Sequence, residues 1–180
     1  MVQILSESFD GNKSVLSVVN GKKRLIPKLM DYSFEKGLAT GEVWIKDNRT
    51  ASIVVLFPNK PRRISLSAFT QDLKLVFNVI GVSQTLKILK RKKLIEKHQP
   101  RSRFIHLWYI GVLCEHKNKG IERNLLQSFM KIKAKDRLPI FLETSSNRNI
   151  GFYRDNGFQV VVEIVEKLPY RLYVMAKYPD

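Results

Sequence analysis

A basic turn, Lys117-Asn118-Lys119-Gly120, joins a nearly continuous apolar run to an amphipathic one, and the chemistry available to this chain is concentrated around it. The preceding run, residues 104–112, holds Phe104, Ile105, Leu107, Trp108, Tyr109, Ile110 and Val112, the pattern of a strand buried on both faces. The following run sets Ile121, Leu125, Phe129 and Ile132 on one helical stripe. A turn at such a junction suits a phosphate group. Unpaired amides and the positive end of the helix dipole converge there, and lysines add full charges. Two titratable groups belong to the same neighbourhood of the pattern. His106 lies on the strand, either as a base or as an ordinary core histidine. Glu143 closes a later apolar run, as a proton relay, as a holder of a cationic substrate, or as an ordinary cap or ion-pair residue. Cys114 is the single cysteine, which excludes an intrachain disulfide and a thiolate metal cluster; it reads as a small apolar residue of the turn. His98 and His116 add no metal-ligand spacing, so no metal site is expected.

Strands and helices must hold these groups, and the periodicity predicts them in order. Residues 2–19 read as one helix, a break at Asp10-Gly11-Asn12, and a second helix running on toward Leu25 and Met30. Gly37 and Gly41 mark a change of period. Residues 42–45 and 51–56 then read as a hairpin with the polar turn Lys46-Asp47-Asn48-Arg49, closed by Pro58 and Pro61. Helical spacing follows over residues 67–80, with Phe69, Leu73, Val76, Phe77 and Ile80 on one face. A further helix is capped by Ser83 and turns Leu86, Leu89 and Leu94 or Ile95 inward. Beyond the basic turn come a short strand at 139–143, a capping turn at 144–147, a helix from Arg148 ended by Gly157, and two β-rich runs at 158–164 and 170–176.

Val112, Cys114, Lys117, Gly120 and Glu122 fall on the positions of V-x-P-x-x-Q/R-x-x-G-x-G/A. That stretch resembles the acetyl-CoA signature of the GNAT superfamily of N-acetyltransferases. A second stretch, with Leu142, Glu143, Thr144, Ser145, Asn149, Phe152, Tyr153, Gly157 and Phe158, resembles the superfamily's L-E-T-S-x-x-x-N-v-x-F-Y-x-x-x-G-F motif. Together they span residues 104–158. Cys114 stands in the proline place and Glu122 where a glycine or alanine is usual. Glu122 brings bulk and negative charge to a place meant for a diphosphate, and Lys117, Lys119 and Arg123 offset it.

The resemblance implies an α/β, GNAT-like three-layer fold with a central mixed, splayed sheet flanked by helices and the CoA arm lying in the splay. It implies acetyl-CoA as co-substrate, with Ile110, Gly111, Val112, Lys117, Asn118, Lys119, Gly120, Ile121, Glu122, Asn149 and Tyr153 around it. It assigns Tyr153 the protonation of the departing thiolate, and Phe152 is left to the core. Acetyl transfer from a thioester to an amine also needs a neutral amine and donors for the developing oxyanion. A main-chain N–H between Ile110 and Val112 is the expected donor, and Gly111 suits an irregularity or a close ligand approach there. Glu143 and His106 are the candidates for a base. The opening helices wall the acceptor cleft in this resemblance, and Trp44, Tyr170 and Tyr173 are candidates for its lining.

The chain has 180 residues, a length that suits one domain over 1–180. Neither a secretory leader nor an apolar run of membrane-spanning length is visible, so a cytoplasmic protein is expected. Lys and Arg number 32 against 16 Asp and Glu, a formal charge of +16. That excess is larger than one CoA requires. It suits nucleic acid, an anionic membrane or an acidic partner, and it equally suits a solvated surface. Residues 87–103 concentrate it, without aromatic residues to stack on bases. The acceptor is expected to be an amine-bearing small molecule or peptide. The competing expectation is a non-catalytic domain of the same fold whose basic surface binds nucleic acid or an acidic protein.

Overall fold

The structure, a computed structural model, describes residues 1–46, 48–59 and 82–179. The helix expected over residues 67–80 lies outside the described residues. Among them run α1 (Val2–Phe9), α2 (Lys13–Val18), α3 (Ile26–Thr40), β1 (Gly41–Ile45), β2 (Ala51–Leu56), α4 (Val82–Glu96), β3 (Ile105–Val112), α5 (Ile121–Lys133), β4 (Ile140–Thr144), α6 (Asn147–Arg154), β5 (Gln159–Ile164) and β6 (Leu172–Lys177). The strands form one open sheet in the order β1-β2-β3-β4-β6-β5, antiparallel except where β3 meets β4. This is the mixed, splayed α/β sheet expected from the sequence.

The splay is visible in the register. Parallel pairing of β3 with β4 consists of two partners, Ile105 with Ile140 and His106 with Phe141, after which the strands part. From Leu107 to Val112 one side of β3 therefore faces an opening. A bulge accompanies the change: Val54 pairs with Tyr109 and Val55 with Leu107, so Trp108 is the extra residue of β3. Side chains alternate along a strand, and one extra residue reverses the alternation beyond it. Ile105 and Leu107 thus share a core with Ile110 and Val112, while Tyr109 is turned to the other face.

Helices cover both faces. On one, Leu125, Leu126 and Phe129 of α5 and Tyr153 of α6 pack on Ile53, Val55, Ile105, Leu107, Ile110 and Leu142. On the other, α1, α2 and α3 pack on the β1–β3 half, and Ile95 of α4 packs on Phe141, Leu172 and Val174 in the opposite half. Gly37 lets α3 lie against the hairpin, since a Cβ there would sit 2.6 Å from Val54 Cγ1.

Three local expectations are corrected. The second helix stops at Val18, because Asn20 and Gly21 both take positive φ, and α3 begins afresh with Pro27 in its first turn. Leu86 and Leu89 do not face inward; they are 66% and 47% exposed, and the apolar contacts of α4 come from Ile88, Leu94 and Ile95. Ile132 is 48% exposed, so the buried stripe of α5 is Leu125, Leu126 and Phe129.

Candidate active site

Two groups of polar residues face the splay from opposite sides of the sheet. The first surrounds the basic turn. After β3 a 3₁₀ turn, Cys114–His116, leads to Lys117, Asn118, Lys119 and Gly120, all exposed. Asn118 and Gly120 adopt positive φ, which bends the backbone sharply into α5. The first helical hydrogen bond runs from Asn124 N to Gly120 O at 3.0 Å, so the amides of Ile121, Glu122 and Arg123 have no helical carbonyl to donate to. A Cβ on Gly120 would meet nothing within 4 Å, so the turn is open.

Glu122 and Tyr153 interact electrostatically at this end. Burial pushes the Glu122 carboxyl above its ordinary value, and the Lys117 charge partly opposes the shift. Burial also raises the Tyr153 hydroxyl, and the negative charge of Glu122 raises it further. Tyr153 is packed edge-on against Phe152 and Phe158. Phe152 is only partly buried and lies under the Arg123 guanidinium, 5.9 Å from the ring centre. An ion pair of 2.9 Å between Arg123 and Asp155 ties the start of α5 to the end of α6. Asn149 is exposed in the first turn of α6, its amide donating to Ser146 O at 3.1 Å. Ser146 is the N-cap residue without a side-chain cap bond; Thr144 Oγ1 accepts from its amide instead.

On β3 the backbone adds a third component. Val112 N donates to Ser8 Oγ at 2.8 Å, and Ser8 Oγ donates to Val112 O at 2.7 Å. The Val112 amide is thus already used, by a residue of α1 that sequence reasoning did not single out. Gly111 accommodates the same contact: a Cβ there would lie 2.5 Å from Ser8 Oγ. The close approach expected at Gly111 is therefore made by α1, and the irregularity sits at Trp108. Just beyond the two strands, Leu113 N donates to Thr50 O at the start of β2, so odd positions at this end of β3 point to β2 and even ones away. By that alternation the Ile110 amide faces the opening.

The second group lies on the α3–α4 face. His106 Nε2 is 2.9 Å from Glu143 Oε2, with side chains only 13% and 7% exposed. Gln99 Nε2 donates to Glu143 Oε1 at 3.1 Å. Burial alone would raise the Glu143 carboxyl, but His106, Arg91 and Gln99 outweigh it and hold the group below its ordinary value. An ionised carboxylate only accepts, so Nε2 of His106 carries the proton facing it and Nδ1 is left with the lone pair in the neutral ring. Tyr109, brought to this face by the bulge, has its hydroxyl raised by burial; Ser33 and Arg91 act against the shift and Glu143 with it. Arg91 donates from Nε to Tyr170 Oη at 2.9 Å and from a terminal nitrogen to Ser14 Oγ at 3.0 Å.

Of the expected site residues, the fold brings His106 to Glu143, and sets Glu122 where it feels the charge of Lys117 and acts on the Tyr153 hydroxyl. The two sets are on opposite faces, with the splay between them. Trp44 packs edge-on against Phe129 and donates to Glu42, and Tyr173 is in the same core, so neither lines the α4 face. Arg91, Tyr109 and Ser8 are members that periodicity could not reveal; the sole signal was the doubled aromatic Trp108-Tyr109, which breaks alternation at the bulge.

No family model matches the chain. Among solved structures it is similar to a histone acetyltransferase HPA2-related acetyltransferase from Corynebacterium glutamicum, with a TM-score of 0.69, 15% identity, and 99% of this chain and 89% of that one covered. Arylalkylamine N-acetyltransferase 2 from Aedes aegypti superposes with a TM-score of 0.64 at 14% identity, covering 99% and 93% of the two chains. The C-terminal condensation domain of Ebony, in complex with beta-alanyl-dopamine, gives a TM-score of 0.60 at 8% identity, covering 98% and 92%. Identities this low speak to architecture. With its parallel pair parting after His106 and Phe141 and its basic turn at the mouth of the gap, this chain has the fold of the GNAT acetyltransferases.

Proposed function

We propose that the protein is an N-acetyltransferase that moves an acetyl group from acetyl-CoA directly to a primary amine. The observation carrying this reading is the two-residue β3–β4 ladder, because it opens a slot between the open basic turn and the His106–Glu143 pair. Lys117, Lys119 and the amides of Ile121 and Arg123 suit a diphosphate, while the half-buried Glu122 opposes one. Bound there, acetyl-CoA supplies an activated thioester carbonyl.

The residues then divide the work. His106, oriented by Glu143, takes a proton from the acceptor ammonium at Nδ1, leaving a neutral amine. The amine nitrogen bonds to the thioester carbon, and the Ile110 amide donates to the oxygen as it gains charge. As the C–S bond breaks, the Tyr153 hydroxyl, whose raised phenol stays protonated through neutral pH, gives its proton to the sulfur. The nitrogen sheds its surplus proton to water, from which the phenolate is reprotonated, and His106 releases the proton it took to solvent. Asn149, at the exposed start of α6, binds the CoA arm.

Thermal unfolding with acetyl-CoA tests the reading. A ligand at 100 times its Kd stabilises by about 2.7 kcal/mol, a Tm rise of a few degrees in a chain of this size. Glu122→Gln is expected to enlarge that rise by removing a like charge. No rise and no heat with any CoA species would leave the non-catalytic alternative, in which the basic surface binds a polyanion with steep salt dependence.

A further inference from the structure

Most of the cations of α4, Lys92 excepted, line one side of the helix. Lys87, Lys90, Arg91 and Lys97 are spaced for one face, and with Lys93 and Lys167 they line a groove of about 680 Å³ between α2, α4 and the segment before β6. Among the described residues lining it there is no Asp or Glu. Glu96 is spent on Lys92, 3.6 Å away and outside the groove. Lys87 with Arg91 is a like-charged i,i+4 pair of α4, an arrangement that lowers helix stability unless an anion lies between them, and Lys97 follows the helix end on the same side. A solvated helix face has no need to gather its cations on a concave wall. The groove also has apolar wall, from Ile88, Leu94 and Leu168, for a hydrocarbon frame.

One lining residue, Arg91, ties it to the proposed chemistry. Arg91 forms part of the lining, is partly buried, and is held by Tyr170 and Ser14. The charge of Arg91 acts on the Glu143 carboxylate, the partner of His106. Tyr170, the partner of Arg91, packs with Phe141 on the strand face that also carries Glu143, so a molecule seated against Arg91 lies on the face of the sheet from which an amine would approach His106. The volume is that of a small-molecule site and not of a surface for a nucleic-acid duplex.

We propose that the acceptor is a compact anionic amine, its carboxylate or phosphate groups held by the lysines of this groove and by Arg91 while its amine reaches His106. This rests on the transferase reading. The transfer balances as before: an amide N–C bond forms, the C–S bond breaks, and the product keeps its anionic groups but loses its one cation.

Matched amines test it. Glucosamine 6-phosphate against glucosamine examines phosphate, and glutamyl-glutamate against alanyl-alanine examines carboxylate. Titrated into the full chain without any acyl donor, at least one of glucosamine 6-phosphate and glutamyl-glutamate should bind tenfold or more tighter than its twin lacking the added phosphate or side-chain carboxylates. Lys90→Gln/Lys93→Gln should weaken that binding about tenfold, whereas Lys131→Gln/Lys135→Gln, exposed cations outside the groove, should leave it unchanged. With acetyl-CoA present, kcat/KM should follow the same order. The proposal is overturned if the twins bind alike, if the control pair weakens binding equally, or if a duplex oligonucleotide binds with the same Lys90 and Lys93 dependence. Turnover of a neutral amine without anionic preference overturns the proposal and leaves the transferase reading intact. No heat with acetyl-CoA and no turnover of any amine overturns both.

Discussion

Tyr153 and Glu143 illustrate how burial sets the chemistry of single residues. The phenol is enclosed and feels the charge of the Glu122 carboxylate, so both influences keep its proton in place. Tyr153→Phe removes that proton with little loss of packing. It is expected to lower kcat by about 100- to 10,000-fold, with the acetyl-CoA effect on Tm unchanged. Stopped assays across pH should show no alkaline limb from Tyr153 below pH 10 in the wild type. Glu143 is the opposite case, since neighbouring donors and cations hold it below its ordinary 4.5. Its contribution to stability is therefore present above that value and is lost as pH falls through the lower folded-state value. Urea unfolding should find Glu143→Gln about 2 kcal/mol less stable at pH 7. The gap between variant and wild type should close as both are taken from pH 5 toward pH 3.

Elements are placed by a few close approaches. Helix α3 can lie on the hairpin because Gly37 has no Cβ. Gly37→Ala gains about 1 kcal/mol of helix propensity. Forcing a methyl to 2.6 Å from Val54 Cγ1 and 3.0 Å from Val43 Cγ2 costs about 1–3 kcal/mol. The clash outweighs the gain over most of that range, so equilibrium unfolding should show net destabilisation of up to about 2 kcal/mol. Ser8 performs a comparable task for α1, satisfying both polar groups of Val112 where β3 has no strand beside it. Without that serine a half-buried amide and carbonyl lose their partner, and α1 loses its register on β3. Glu7 adds to the latch by accepting from the Cys114 amide at 3.3 Å.

Across the whole molecule, like charge outweighs unlike. A formal charge of +16 is opposed by exposed ion pairs such as Lys23 with Asp10 and Arg171 with Glu163, each worth no more than about 1 kcal/mol. Self-repulsion is screened within about 10 Å at 0.1 M salt. Raising NaCl from about 20 to 300 mM, at which the Debye length falls well below 10 Å, should therefore increase Tm in the absence of ligand. A chain stabilised chiefly by surface ion pairs would show a fall.

The sequence alone determined the strand–turn–helix at 104–129, the L-E-T-S to G-F motif, the hairpin and the two later β-rich runs along the chain, though not their order in the sheet. Each is set by local periodicity, by glycine conformations or by a short motif, and these are properties of neighbours along the chain. Tertiary structure decided the rest. Whether Leu86 or Ile88 faces the core depends on where α4 lies, and whether Val112 or Ile110 has a free amide depends on a serine 104 residues away. Tyr109 shares a face with His106 because a bulge adds Trp108 against β2. The lysines of α4 line a groove because α2 and the Lys167–Tyr170 segment stand opposite. Contacts between distant segments carry no signature in one sequence; they arise only when the sheet forms and its two central strands part.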